Sequence, residues 1–194
     1  MTAQISDKIS YRDCEYGVVG WDGPALFDPA EYGLQPIMFS TGCWQGYYCA
    51  FEVAAERAAG PGEGGEPAEV LCLTTVFIGL TGEPREAAER GAGSALFGVR
   101  PRYSESDGCF VYQNIGAVLS YTGSLTLGAD FIWDHYVHMG FHPPWKYRTV
   151  HELTFAAGRL VKAVDRSEEM ARMRASAADS ESPFSLFKPL EPRP

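Results

Sequence analysis

Between Tyr147 and Asp165 the chain writes out a β-hairpin. Tyr147, Thr149, His151, Leu153 and Phe155 alternate with Arg148, Val150, Glu152 and Thr154; Ala156-Ala157-Gly158 supplies a turn, and Arg159 to Asp165 (RLVKAVD) returns. Successive side chains on a strand point to opposite faces, so this pattern buries one face and wets the other. A helix would instead bury positions three and four apart, so the remainder of the fold has to accommodate a sheet.

A second alternation runs from Trp44 to Val53 (WQGYYCAFEV), with Tyr47, Cys49, Phe51 and Val53 on one face. Gly46 within it marks a bulge or a close backbone approach. Periodicity vanishes over residues 54–69, which fill with Gly, Pro and Glu as a widened hairpin connection would. The next run, Val70 to Leu80 (VLCLTTVFIGL), is apolar on both faces and reads as a central strand antiparallel to 44–53. Further strands are expected at 109–113 and 117–121, with Asn114-Ile115-Gly116 turning between them, and at 123–127. One or two strands fit the first 33 residues, where Asp28 before Pro29 is placed to cap a helical turn. Residues 84–90 (PREAAER) favour another turn or two of helix, and Ser167 is placed to cap a short C-terminal helix with Met170 and Met173 as its apolar contacts.

The expected architecture is mainly β: an antiparallel barrel or two-layer sandwich with a short C-terminal helix. With 45% hydrophobic residues, 194 positions suffice for one domain with a core, taken as residues 1–177. Residues 178–194 read as a flexible tail, too polar and proline-rich to pack alone, although its Phe-Ser-Leu-Phe segment could dock on the domain or a partner.

A net charge of −9 with no basic cluster argues against a nucleic-acid partner. There is no apolar run of membrane-spanning length and no signal-peptide pattern, so no membrane partner is expected and the location expected is cytoplasmic. Five scattered cysteines (Cys14, Cys43, Cys49, Cys72, Cys109) without a CxxC pair are read as free thiols packed as small hydrophobes. Neither the glycines at 62–65 nor those at 91–93 form a phosphate or dinucleotide loop, and no GxSxG elbow is present. No cofactor is expected, and nothing speaks to oligomeric state.

Chemistry concentrates in residues 131–152 (FIWDHYVHMGFHPPWKYRTVHE), which hold all four histidines. Phe131, Ile132, His135, Tyr136 and Met139 are spaced as on a helix, yet the run reads equally as an aromatic strand ending at Gly140. On a helix, His135, His138 and His142 would share a face, with Asp134 or Glu152 as a carboxylate ligand; on a strand, His135 and His138 part company. The spacing matches no established zinc motif such as HExxH. His151, on the apolar face of its strand, is either a core histidine or a general acid/base.

Five short motifs resemble a family of uncharacterised bacterial proteins. These are Glu15 to Val18 (EYGV, against EYGLL), Ser40 to Tyr47 (STGCWQGY, against STANWRGY), Thr122 to Leu125 (TGSL, against SGxL), Tyr136 to Phe141 (YVHMGF, against YVHMGY) and Leu153 to Val161 (LTFAAGRLV, against LxFxxGxLV). Gln45 stands where the pattern has arginine, insertions lengthen 54–69 and 81–108, and His138 is the one histidine inside a motif. The resemblance implies a shared fold and brings no activity.

The function expected is therefore a non-enzymatic ligand-binding or protein-interaction domain. Trp44, Tyr47, Trp133, Tyr136 and Trp145 would line an aromatic pocket or face for a small apolar ligand or a protein partner. The alternative is a small hydrolase or lyase, with or without a metal, using His138 or His151 with a carboxylate such as Asp134 or Glu152.

Overall fold

A computed structural model describes residues 2–56 and 68–179, with side chains through residue 176. Most of the 54–69 insertion and the expected tail lie outside the described residues. The molecule is mainly β, and seven of the nine strands among the described residues close a barrel.

The strands are β1 (Lys8–Tyr11), β2 (Cys14–Asp22), β3 (Tyr47–Ala55), β4 (Glu69–Ile78), β5 (Arg102–Ser104), β6 (Cys109–Val118), β7 (Gly123–Phe131), β8 (Tyr147–Ala156) and β9 (Arg159–Asp165). Around the barrel the order is β3-β1-β2-β7-β8-β9-β4, and the β3–β4 hairpin completes the ring. All neighbouring pairs are antiparallel except β1–β3, which is parallel. Strand β4 meets β9 at one register position, Val70 opposite Arg159, and gives the rest of that edge to β6, which carries β5 outward.

Closing a sheet on itself leaves one set of alternate side chains inside. Ile9, Tyr16, Val18, Cys49, Phe51, Leu71, Leu73, Leu125, Leu127, Leu153 and Phe155 form that set and are buried. The alternation read over 47–53 and 147–155 is the inward face of β3 and β8. Strand β3 starts three residues later than its apolar run because Gly46 (φ +78) packs against the Ile37 backbone, where a Cβ would lie 2.6 Å from the Ile37 carbonyl carbon. That glycine marks a close approach, as expected.

Three elements differ from expectation. Residues 109–118 are one strand, β6, because Asn114 (φ +59) and Gly116 (φ +64) take up a register shift against β4 instead of reversing the chain. Strand β7 runs on to Phe131, well past Leu127, with Asp130 at φ +56. Beyond it, residues 132–146 are neither long helix nor strand but a loop with two short 3₁₀ turns, Trp133–His135 and Pro144–Lys146.

Helix α1 (Gly82–Glu89) falls where the proline signal puts it; helix α2 (Ser167–Asp179) begins at Ser167, whose Oγ accepts the Val150 N–H at 3.0 Å instead of capping the helix as expected; and Asp28 caps a 3₁₀ turn at Pro29–Tyr32 by accepting the Ala30 N–H at 2.9 Å. Helix α2 lies along β8 and the 144–146 turn. Met170 and Arg174 are half-buried beside the sheet, whereas Met173 is exposed. All five cysteines are free. Among the described residues no helix is long and apolar enough to cross a membrane.

Candidate functional site

Three places in the described structure gather the residues singled out above. The first is a pocket of about 410 Å³ where residues 4–7, the end of β2 and two loops meet. Local turns build it. The Cys43 N–H donates to the Ser40 carbonyl at 3.0 Å and the Gly42 N–H to Ser40 Oγ at 3.2 Å, folding residues 40–43 tightly. Gln4 then ties this turn to the chain before β1: its Oε1 accepts the Trp44 N–H at 3.0 Å and its Nε2 donates to the Thr41 carbonyl at 3.1 Å. On its other side the Gln4 N–H donates to the Gly140 carbonyl at 2.8 Å, which draws in the 132–146 loop.

The walls are mostly apolar. Val18 and Val19 both line the pocket because a bulge between Val18 and Gly20 interrupts the alternation of β2. Trp21 and Leu26 add to this wall. Trp44 and Phe141, 48% and 47% exposed, stand at the opening. Polar groups are few: Gln4, Ser6, Gln45, the Cys43 thiol and the Asp7 carboxylate, whose Oδ1 accepts the Cys49 N–H at 2.8 Å. Burial pushes the Cys43 thiol up to about 11, with the Asp7 charge adding to it, so the group is a neutral thiol at ordinary pH.

The second place is the aromatic cluster of the 132–146 loop. Pro143 and Pro144 start the turn that buries Lys146, and Ile132 N–H donates to the Lys146 carbonyl at 2.8 Å, drawing the loop's ends together. Phe131 is the hub, with ring centroids 4.7 Å from His142, 5.2 Å from Tyr147 and 5.4 Å from Trp133. Trp133 is 76% exposed and Tyr136 is exposed beside it; the Tyr136 hydroxyl bonds His138 Nδ1 at 2.9 Å. Trp145 meets His135 edge-on at 5.2 Å and lies beneath Lys146 Nζ at 5.5 Å.

The third place is inside the barrel at the far end of β1 and β2. His151 meets the rings of Tyr16 and Tyr11 edge-on, at 5.5 and 6.1 Å. The Tyr11 hydroxyl is buried and has no hydrogen-bond partner among the described residues; burial raises its pKa, Arg12 opposes that rise and Glu69 adds to it. Across the β8–β9 pair His151 stands opposite Asp165, a carboxylate held below its usual range by hydrogen bonds from Ser167.

The expected site residues are therefore dispersed. Trp44 lies in the pocket. Tyr47 is a core residue whose hydroxyl donates to the Phe27 carbonyl at 3.2 Å. Trp133, Tyr136 and Trp145 belong to the loop cluster on the outside. Among the described residues no hydrogen bond or ion pair joins His138 or His151 to Asp134 or Glu152: Asp134 is exposed in its 3₁₀ turn, and Glu152 pairs with Arg166 at 3.2 Å on the outer face of β8. His135, His138 and His142 do not share a helix face, and no three His, Cys, Asp or Glu side chains among the described residues are grouped to hold a metal ion.

The sequence did not point to Trp21, Phe141 or Gln4. Trp21 stood in a turn-rich Trp-Asp-Gly-Pro string and Phe141 beside a proline break, and only the tertiary arrangement makes them neighbours. Comparison of the chain with protein-family models, with curated proteins and with solved structures finds no match.

Proposed function

We propose that this protein binds a small, mainly apolar molecule in the pocket between residues 4–7, β2 and the 43–45 and 140–141 loops. One observation carries the reading: about 410 Å³ of space walled by Val18, Val19, Trp21 and Leu26, with Trp44 and Phe141 at the mouth. That volume lies within the range of small-molecule sites, which combine apolar walls with a few fixed polar groups. Gln4 and Asp7 are such groups, each held by backbone hydrogen bonds.

The test is a fluorescence titration of the full chain with N-phenyl-1-naphthylamine, a neutral apolar probe. Saturable binding at one site is expected, weakened several-fold in Trp44→Ala and abolished in Leu26→Trp, which fills the pocket. Circular dichroism and thermal unfolding of both variants would establish that they remain folded. Absence of saturable binding, or binding indifferent to both substitutions, would overturn the proposal.

A further inference from the structure

Lysines keep their ammonium in water, and among the described residues Lys8 and Lys162 do so on the surface, Lys8 paired with Glu15 at 2.9 Å. Lys146 is buried. Its backbone is fixed from both sides, the N–H donating to the Pro143 carbonyl at 3.1 Å and the carbonyl accepting the Ile132 N–H at 2.8 Å, while the side chain runs inward. The amine there has His142 Nδ1 at 3.4 Å and the Trp145 ring at 5.5 Å, and among the described residues no carboxylate forms a salt bridge with it. An ammonium in this place lacks acceptors for its protons. The attraction of one ring is small beside that cost, and burial lowers the Lys146 pKa.

A lysine desolvated among aromatic rings and set beside a second basic group is the arrangement that frees the amine lone pair to attack carbonyl carbon. We propose that Lys146 is a covalent carbonyl-binding site: its Nζ condenses with an uncharged, apolar aldehyde to form an imine, and His142 handles the proton. Nζ adds to the carbonyl carbon while one amine proton passes by way of His142 to the carbonyl oxygen. The hydroxyl so formed leaves with the second amine proton as water, so neither oxidant nor reductant is consumed. Phe131 and Tyr136, whose rings flank His142, suit the organic body, and the exposed Trp133 and Tyr136 form the side from which it enters. Neither Lys146 nor His142 lines the pocket described above, so this site stands or falls independently of it.

The experiment treats the full, native chain with benzaldehyde and cyanoborohydride at neutral pH, which converts an imine to a stable benzylamine, and follows adducts at Lys8, Lys146 and Lys162 by peptide mass spectrometry. Lys146 is expected to react several-fold faster than either surface lysine, and to lose that advantage when the chain is unfolded in urea. His142→Phe, shown by circular dichroism to be folded, should slow Lys146 and leave Lys8 and Lys162 unchanged. Glyoxylate, an anionic aldehyde, should show no preference for Lys146. If Lys146 reacts no faster than the surface lysines, its amine is sealed or charged and the proposal falls. It falls equally if the advantage survives unfolding, since the fold is then not its source. An unchanged rate in His142→Phe would overturn the proton role, and an equal preference with glyoxylate would overturn the apolar selectivity.

Discussion

Lys146 Nζ and His142 Nδ1 stand 3.4 Å apart, and among the described residues neither forms a salt bridge with a carboxylate. Lys146 is 3% exposed. Phe131 and Tyr136 flank the imidazole, with ring centroids at 4.7 and 5.4 Å, and its Nε2 is buried with no hydrogen-bond partner among the described residues. Two basic groups in one apolar enclosure cannot both be charged cheaply.

Acid sensitivity should follow from this pair. Burial, and secondarily Lys146, lowers the His142 pKa below its ordinary 6.5, so the unfolded chain takes up that proton more readily than the folded one. The stability that neutral His142 contributes is therefore present above about pH 6.5 and lost as pH falls through the lower folded-state value. His142→Phe should show a smaller drop in Tm between pH 7.5 and 5 than the native chain. Equal drops would refute the assignment, whatever the variant's stability at neutral pH.

Gly158 closes the β8–β9 turn at φ +83, where a Cβ would collide with the Leu119 carbonyl oxygen. Its own N–H donates to the Tyr121 carbonyl at 2.7 Å and its carbonyl accepts the Leu71 N–H at 2.9 Å, so the backbone has no room to yield. Gly158→Ala should cost about 3 kcal/mol, left-handed strain plus overpacking. Gly108→Ala, at φ +68 in open space, should cost about 1 kcal/mol. Urea unfolding of the two variants checks the contrast, and equal losses would mean that the turn at 158 relaxes.

Arg174 fastens helix α2 to the sheet. Its Nη1 donates to the Trp145 and Tyr147 carbonyls, both at 2.8 Å. Arg174→Met keeps the stem but leaves both carbonyls without that donor, at a cost of about 2 kcal/mol. Amide exchange should quicken along α2 and in the 144–146 turn, while the strands opposite keep their protection; uniform quickening would contradict local anchoring.

Gln4→Ala removes the side chain joining the Trp44 N–H and the Thr41 carbonyl. Global stability should fall by about 1 kcal/mol. Probe affinity should fall more steeply than that, several-fold, since the 40–44 turn that carries Trp44 to the pocket mouth loses its side-chain tie to residue 4, while the backbone bond to Gly140 remains. Unchanged affinity would show that the 40–44 turn holds its shape unaided.

How much of this was legible in the chain depends on the range of the physics involved. The 147–165 hairpin and the 47–53 strand were readable because alternation is a local property of successive side chains. Strand β6 misled because Asn114 and Gly116 adopt left-handed backbone either in a turn or inside an irregular strand, and only the partner strand decides which. The helix-or-strand question over 131–139 had neither answer, since Pro143, Pro144 and the bond from Ile132 N–H to the Lys146 carbonyl hold that run in a loop. The pocket was legible only at Trp44. Its remaining walls come from segments more than a hundred residues apart, and nothing in Pro-Pro-Trp-Lys signals that its lysine is buried.

The parallel pairing of β1 with β3 gives residues 8–11 two tasks at once. Strand β1 has β2 on one flank and β3 on the other, with Ile9 opposite Tyr16 and beside Phe51, so without it the ring has no continuous wall. The neighbours on its two sides are a hairpin partner and a strand synthesised some forty positions later. An early segment must therefore wait, half-matched, until its second edge arrives, and lengthening the chain between Asp22 and Tyr47 should slow barrel closure without altering the finished molecule.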